Sequence, residues 1–502
     1  MIALTEDIRD GLHTGMSVRR PIKKSHADSQ ISTASRGGET WADVTRKMHA
    51  DSLLPPASRL SDQKEKNMYR KIYDDLCQWK DDPQRKPLVL EGARQVGKTW
   101  ILREFGKKNF ENMVYINCDH NPQTEGLFRD FDTERILRYL SAISGQTIIP
   151  GKTFIFLDEI QEEPLGLTSL KYFCENAREY HIAVAGSLLG LSVHEGSGFP
   201  VGKVDELKIY PMTFCEFLRA LGKEKLAELM DTENPENISD MAETYIELLR
   251  QYYYVGGMPE AVDEYARTQN LQRVRRIQSR IIGDYDADFS KHIPAALLPK
   301  VRMVWNSIPS QLARENKKFI YGALKKGARA KEFEEAIEWL KDAGLIYQVT
   351  RVNSLSRPLN FYENPGAFKM YLSDLGLLGA MTQTDPADIL TKNTGFTEYK
   401  GAFTEQYVAQ ELIATMHHKL HYFARDDARM ELDFACQAGK VLAIEVKAEE
   451  NLNAKSLKSI LEKHPEVIGL RISMSRYRRE NNLINLPLYL VEPWFRKLEV
   501  TP

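Results

Sequence analysis

The sequence predicts an α/β chain built in sections: a parallel sheet wrapped by helices, then a helical stretch, then a second α/β unit. Three observations carry this. Short apolar runs alternate with helical segments from Pro87 to about Tyr210, a glycine-rich turn follows the first of these runs, and two carboxylates close a fully apolar run further on. At 502 residues the chain is too long for one ordinary core, and domain sizes suggest roughly three units.

Residues 1–66 are rich in Ser, Asp, Arg, Lys and Pro with little apolar periodicity, so they bury too little surface to offset ordering entropy and read as a mostly disordered tail. A helical pattern starts at Met68, with Tyr69, Ile72, Tyr73 and Leu76 at spacings of three and four, and Met68 is read as the true start of translation. An intact mass that includes the whole tail would overturn that reading.

The predicted strands are Leu88–Leu90, Val114–Asn117, Phe154–Leu157, Ile182–Ala185 and Leu207–Tyr210. Residues 68–220 thus form the first unit. Helices fill 221–297, broken at Gly256, Gly257 and Pro259. Between 298 and 373, helical spacing of Phe333, Ile337 and Leu340 followed by a hairpin suggests a winged-helix unit. Residues 374–502 form the last unit: a helix at Thr404–Met416, strands at Glu431–Cys436 and Val441–Val446, and a helix at Ala454–Lys463.

Lys plus Arg (68) nearly balance Asp plus Glu (70), so a polyanionic partner would need a local basic surface. The five cysteines are scattered without metal-ligand spacing, which points to a reduced compartment, the cytoplasm, and against zinc. No apolar run is long enough for a membrane span.

GARQVGKT fits the phosphate-loop pattern without mismatch and stands between a strand and a helix, as that chemistry requires. Gly92, Ala93, Arg94, Gln95, Val96 and Gly97 would wrap backbone amides round phosphate oxygens. Lys98 would reach the β and γ phosphates, Thr99 would give its hydroxyl to magnesium, and the helix N-terminus would add a favourable dipole. After FIFL, Asp158 is placed to hold magnesium and Glu159 to polarise an attacking water. Ser187, after the strand Ile182–Ala185, is a candidate sensor of the γ phosphate or a plain loop serine. ATP and Mg2+ are the expected cofactors.

In the last unit, Asp433 and Glu431 share one strand, Glu445 and Lys447 the next, and period-two alternation turns Glu445 and Lys447 to one face beside Asp433. With Glu405 on the preceding helix these residues could form a second metal site of the PD-D/E-x-K type. The solvated face of a hairpin is the alternative. Three basic runs are candidate DNA contacts: Arg273, Arg275, Arg276 and Arg280; Lys317, Lys318, Lys325, Lys326, Arg329 and Lys331; and Arg476, Arg478 and Arg479. For each run taken alone a solvated helix face is the favoured reading.

The segments GARQVGKT, FIFLDEIQ, VAGSLLG, FPVGKV before YPMTFCEFL, YVGGMPEAV, YLSDLGLL, GAFTEQYV, and ELDF before IEVK together resemble the AAA-type ATPases of bacteria and archaea that carry a C-terminal domain of unknown function. The resemblance runs from Met68 to the C-terminus. It implies a nucleotide-binding core with Gly92, Gly97, Lys98 and Thr99 on phosphate, Asp158 and Glu159 catalytic and Ser187 a sensor, then a winged-helix region and a restriction-endonuclease-like fold. It also implies ATP rather than GTP. Such enzymes usually present an arginine to the neighbouring subunit's nucleotide, whereas FPVGKV offers Lys203, which lacks the planar fork of arginine. The reading that results is an ATPase coupled to a DNA-binding or nuclease-like module. A switch between protein partners is the alternative, and a small-molecule kinase is disfavoured because no acceptor motif accompanies the loop.

Overall fold

The structure is a computed structural model that describes residues 68–500 except 187–199, 315, 391–396, 417, 426–429 and 449–454. Ser187 therefore lies outside the described residues. The compact unit that contains them runs from Asn67 onward.

Helix α1 (Ile72–Asp81) precedes a five-stranded sheet made of β1 (Leu88–Glu91), β2 (Asn112–Asn117), β3 (Thr153–Asp158), β4 (His181–Ala185) and β5 (Asp205–Lys208). The strand order is β2-β3-β4-β1-β5 and every pairing is parallel. Parallel strands need crossovers, here α2 (Lys98–Asn109), α3 (Thr133–Ser144) and α4 (Pro164–Asn176). Because helices cover both faces, the inner strands are apolar throughout, and alternate residues feed two cores. Phe154 and Phe156 join Leu88, Leu90 and Ala183 beneath α2, whereas Ile155 and Leu157 join Val89, Val114 and Val184 beneath α3 and α4. The side chain of Asp132 caps α3 through the amides of Glu134 and Arg135.

The predicted strands occur within one to two residues of their expected places. The last is shifted by two residues at both ends, running from Asp205 to Lys208 rather than Leu207 to Tyr210, with alternate residues exposed as suits a sheet edge.

A helical section follows: α5 (Phe214–Ala220), α6 (Glu224–Thr232), α7 (Ala242–Val255), α8 (Pro259–Thr268), the long α9 (Leu271–His292), α10 (Leu298–Leu312) and α11 (Glu334–Asp342). Thr213 and Glu216 close a reciprocal capping box on α5. Gly256 ends α7 with φ +70°, and a Cβ at Gly257 would stand 2.2 Å from the Met212 carbonyl oxygen, so the break expected there is also a close backbone crossing.

The second sheet has eight strands: β6 (Ile346–Val352), β7 (Glu363–Leu372), β8 (His421–Ala424), β9 (Glu431–Ala438), β10 (Lys440–Val446), β11 (Ile468–Ser473), β12 (Arg478–Glu480) and β13 (Leu483–Pro487), ordered β12-β13-β11-β10-β9-β8-β6-β7. The hairpin β6–β7 thus continues the C-terminal sheet, since β6 pairs in parallel with β8. Helices α12 (Leu375–Met381), α13 (Thr397–Thr415), α14 (Lys455–Lys463) and α15 (Val491–Val500) complete the section. Leu457 and Ile460 of α14 cover one face of this sheet, with Val441, Ala443 and Leu483. The other face, with Phe434, Ile444, Leu470 and Ile472, merges with Tyr407 and Leu412 of α13 into the large core that also holds α2 and α7.

Candidate active site

In an open parallel sheet the crevice at the carboxyl ends of the strands opens where the chain reverses its direction of winding. Here the chain leaves β1 for the far edge, returns strand by strand to β4, and places β5 on the opposite side of β1. The phosphate loop sits at that reversal. Asn117, Asp158, Ala185, Leu90 and Leu207 lie in one row across the sheet. The candidate carboxylate and the strand that feeds the loop therefore end level, with β4 between them.

Gly92 has no room for a side chain: a Cβ there would lie 2.4 Å from the Ile209 carbonyl oxygen. Gly97, with φ +96°, turns the chain into α2. The non-glycine Gln95 also takes the left-handed conformation, at φ 67°. Lys98 is buried, and its Nζ donates to the carbonyl oxygens of Gly92 at 2.7 Å and Ala93 at 2.8 Å, so it folds back across the mouth of its own loop. Burial lowers its pKa to about 8, against the opposing pull of Glu159 and Asp158.

Asp158 is buried at the end of β3. Desolvation raises its pKa, while hydrogen bonds from the Thr99 and Tyr115 hydroxyls favour the carboxylate. The Tyr115 hydroxyl lies 3.2 Å from Asp158 Oδ2, and the Arg103 guanidinium lies 4.8 Å from the Tyr115 ring centre. Glu159 follows with φ 51°, a left-handed backbone that ends the strand, and Gln161 Nε2 donates to its Oε2 at 2.6 Å. The structure thus brings Lys98, Thr99, Asp158 and Glu159 together at one edge. The Thr99 hydroxyl already bonded to Asp158 is the donor pair a magnesium ion would use, so these residues fit the group.

Several site residues escaped sequence reasoning. Tyr115 faces the site because alternation on the edge strand β2 puts it beside the end of β3. Arg70 had no local signal. It is buried just before α1, donates from Nη1 to the Val96 carbonyl at 2.8 Å and from Nη2 to the Tyr210 carbonyl at 2.5 Å, and pairs through Nε with Glu216 at 3.2 Å. It ties the loop to the chain after β5, its pair with Glu216 spanning 146 residues of sequence. Lys203 is held by Glu175 at 2.8 Å.

The second cluster is organised differently from the expected metal site. The Lys369 ammonium, 1% exposed, stands 2.8 Å from Glu431, 3.9 Å from Glu405 and 3.9 Å from Asp433. Lys317 pairs with Glu405 at 2.5 Å, the Val446 amide donates to Asp433 Oδ2 at 2.7 Å, and Lys447 pairs with Glu445 at 2.8 Å. Nearby carboxylates raise the pKa of Lys369 despite its burial, and burial raises that of Asp433 to about 7. Among the described residues no group of three His, Cys, Asp or Glu side chains could hold a metal ion. Glu405, Asp433, Glu445 and Lys447 do lie on neighbouring elements, but an ammonium fills the middle of the carboxylates, so they do not fit a magnesium ion as they stand.

The basic runs also differ among themselves. Arg273 pairs with Glu264 at 3.3 Å, Arg280 pairs with Glu260, and Arg275 stacks 4.3 Å from Tyr254 and donates to the Gly376 and Thr384 carbonyls. Of these, Arg275 serves the fold, whereas Arg273 and Arg280 make exposed surface pairs. Lys325, Lys326, Arg329 and Lys331 are exposed in the connection between α10 and α11. Arg478 pairs with Glu480 at 2.7 Å, and Arg476 lies 3.7 Å from Asp240.

Residues 84–218 match an AAA domain, 246–388 a domain of unknown function, DUF8612, and 400–490 another, DUF4143. No curated protein matches the chain. Among solved structures, the Walker-type ATPase PABY2304 of Pyrococcus abyssi is 16% identical, with a TM-score of 0.39 over 66% of this chain and 99% of that one. The ORC1 protein of Aeropyrum pernix, solved in complex with DNA, is 14% identical at a TM-score of 0.24 over 63% and 91%. RuvB of Thermotoga maritima is 16% identical at 0.27 over 55% and 88%. The family match, the parallel sheet and the convergence of loop, lysine and carboxylate agree that residues 84–218 form an AAA-type P-loop ATPase domain.

Proposed function

We propose that this protein is a cytoplasmic magnesium-dependent ATPase whose helical and C-terminal sections engage DNA. The convergence of Lys98, Thr99, Asp158 and Glu159 at the phosphate loop carries the reading. Thr99 and Asp158 would hold the magnesium ion, which when bound neutralises phosphate charge. Lys98 leaves the Gly92 and Ala93 carbonyls for the phosphates. The Thr99 and Tyr115 hydroxyls favour the carboxylate form of Asp158 against the desolvation that raises its pKa, and Glu159, oriented by Gln161, accepts the proton of the attacking water.

The exposed cations Lys325, Lys326, Arg329 and Lys331 support a DNA backbone contact, which neutralises phosphates without reading sequence. The winged-helix and restriction-endonuclease-like readings of 298–373 and 374–502 belong to the same proposal. The buried Lys369 among Glu405, Glu431 and Asp433 favours binding over strand cleavage in the last section. The same observation suits a second reading, a switch between protein partners with no DNA chemistry.

The test is magnesium-dependent ATP hydrolysis with and without duplex DNA. Lys98→Ala should lose nucleotide binding, and Glu159→Gln should bind ATP but hydrolyse it at least about a hundredfold more slowly. Acceleration by DNA that weakens with salt and with alanine at 325, 326, 329 and 331 supports the first reading. Turnover indifferent to DNA moves the choice to the protein switch, and failure to bind any nucleotide overturns both.

A further inference from the structure

The loop residues Arg94 and Gln95 are gripped by one helix. Arg94 pairs with Asp288, Gln95 Nε2 donates to Asp284 Oδ2 at 2.9 Å, and the Tyr285 hydroxyl donates to the Arg94 carbonyl at 2.9 Å, all from α9. Asp284 and Asp288 are one helical turn apart and share a face. The contacts differ in kind. Tyr285 is buried and anchors backbone, whereas the Arg94 side chain is 45% exposed and its Asp288 partner 20%. A half-exposed ion pair adds little to stability and exchanges readily. The Arg94 guanidinium also has Glu159 as a charged neighbour, and Lys98 feels its charge, so it stands beside the catalytic edge.

We propose that Arg94 is a movable cation for the triphosphate, kept by Asp288 when no γ phosphate is present and transferred to that phosphate when ATP binds. This rests on the ATPase reading. A guanidinium pairs with phosphate oxygens in a bidentate fork that Lys203 cannot supply. The move is short, because Arg94 belongs to the loop whose amides wrap the phosphates, and the bond from Tyr285 keeps its backbone in place. The exchange frees Asp288. Tyr285 and Phe289 of α9 pack edge-on against Trp305 of α10, with centroids 6.1 Å and 5.9 Å apart, and Phe289 meets Trp339 of α11 at 5.4 Å. The γ phosphate is thereby linked to the two helices that flank the exposed basic connection.

The experiment compares ATP and ADP affinities and turnover, with magnesium, for the full protein and its Arg94→Ala, Arg94→Lys and Asp288→Asn variants. Arg94→Ala should weaken ATP about tenfold with less than about a twofold effect on ADP, and should slow turnover by about tenfold or more. Arg94→Lys should recover only part of the difference. Asp288→Asn, which keeps the shape of the side chain, should tighten ATP without changing ADP. Equal losses for ATP and ADP, or an Asp288→Asn variant identical to the parent, would overturn the proposal while leaving the ATPase reading intact. A parent protein that binds no nucleotide would sink that reading instead.

Discussion

Lys98 shows how one residue turns burial into a functional property. Its ammonium is stabilised by two carbonyl oxygens but starved of water, and the balance leaves its pKa near 8. An unfolded lysine holds its proton to much higher pH, so Lys98 weakens the fold below pH about 8, and that cost fades as pH rises from there towards the unfolded value. Phosphate binding needs the charged form. ATP affinity should therefore be flat below pH about 8 and fall towards tenfold per pH unit above it, as a titration of Kd between pH 7 and 9.5 would reveal. A flat profile across that range would mean that Lys98 does not titrate there. Asp374 is another buried titrating group, raised to about 6 by desolvation although the Gly257 and Leu377 amides donate to it. Its folded pKa lies above the unfolded one, so its contribution to stability is present below pH about 4 and lost as pH rises through about 6. The difference in melting temperature between the parent and Asp374→Asn should shrink over that window.

Among the elements, the junction of α7, α9 and α12 explains why polar residues occupy the core. Helix α7 ends at Val255, and its last carbonyls would be orphans if left to apolar neighbours. Gln278 of α9, 0% exposed, donates to the Tyr254 carbonyl at 2.9 Å and the Val255 carbonyl at 2.8 Å. Gly376 opens α12 so closely that a Cβ would lie 2.5 Å from the Val255 carbonyl oxygen. Gln278→Leu preserves bulk but leaves buried acceptors unpaired, and should cost about 1–3 kcal/mol in a urea unfolding experiment. A variant as stable as its parent would show that water or backbone motion satisfies those carbonyls. The elements themselves were largely legible, because apolar runs and helical spacing are local signals. Strands β8, β11, β12 and β13 were not predicted, because their pairing depends on partners distant in sequence.

On the scale of the whole molecule, the second sheet crosses the boundary that composition suggests. The hairpin β6–β7 lies before residue 374, yet β6 pairs with β8 and extends the sheet to eight strands. A fragment of residues 374–502 would expose the edge of β8 and should aggregate or fail to melt cooperatively by circular dichroism and size exclusion. A monodisperse, cooperatively melting fragment would make the hairpin an accessory. From its sequence alone, the chain determined the parallel sheet, the phosphate loop with Lys98 and Thr99, and the carboxylates after FIFL, since a strand, a glycine turn and a helix start are specified by neighbours within a few residues. Tertiary structure alone decided that Arg70 and α9 hold the loop, that Tyr115 reaches Asp158, and that Lys369 fills the second carboxylate cluster. Each of those contacts joins residues dozens to hundreds of positions apart, and no local pattern encodes which buried charge meets which.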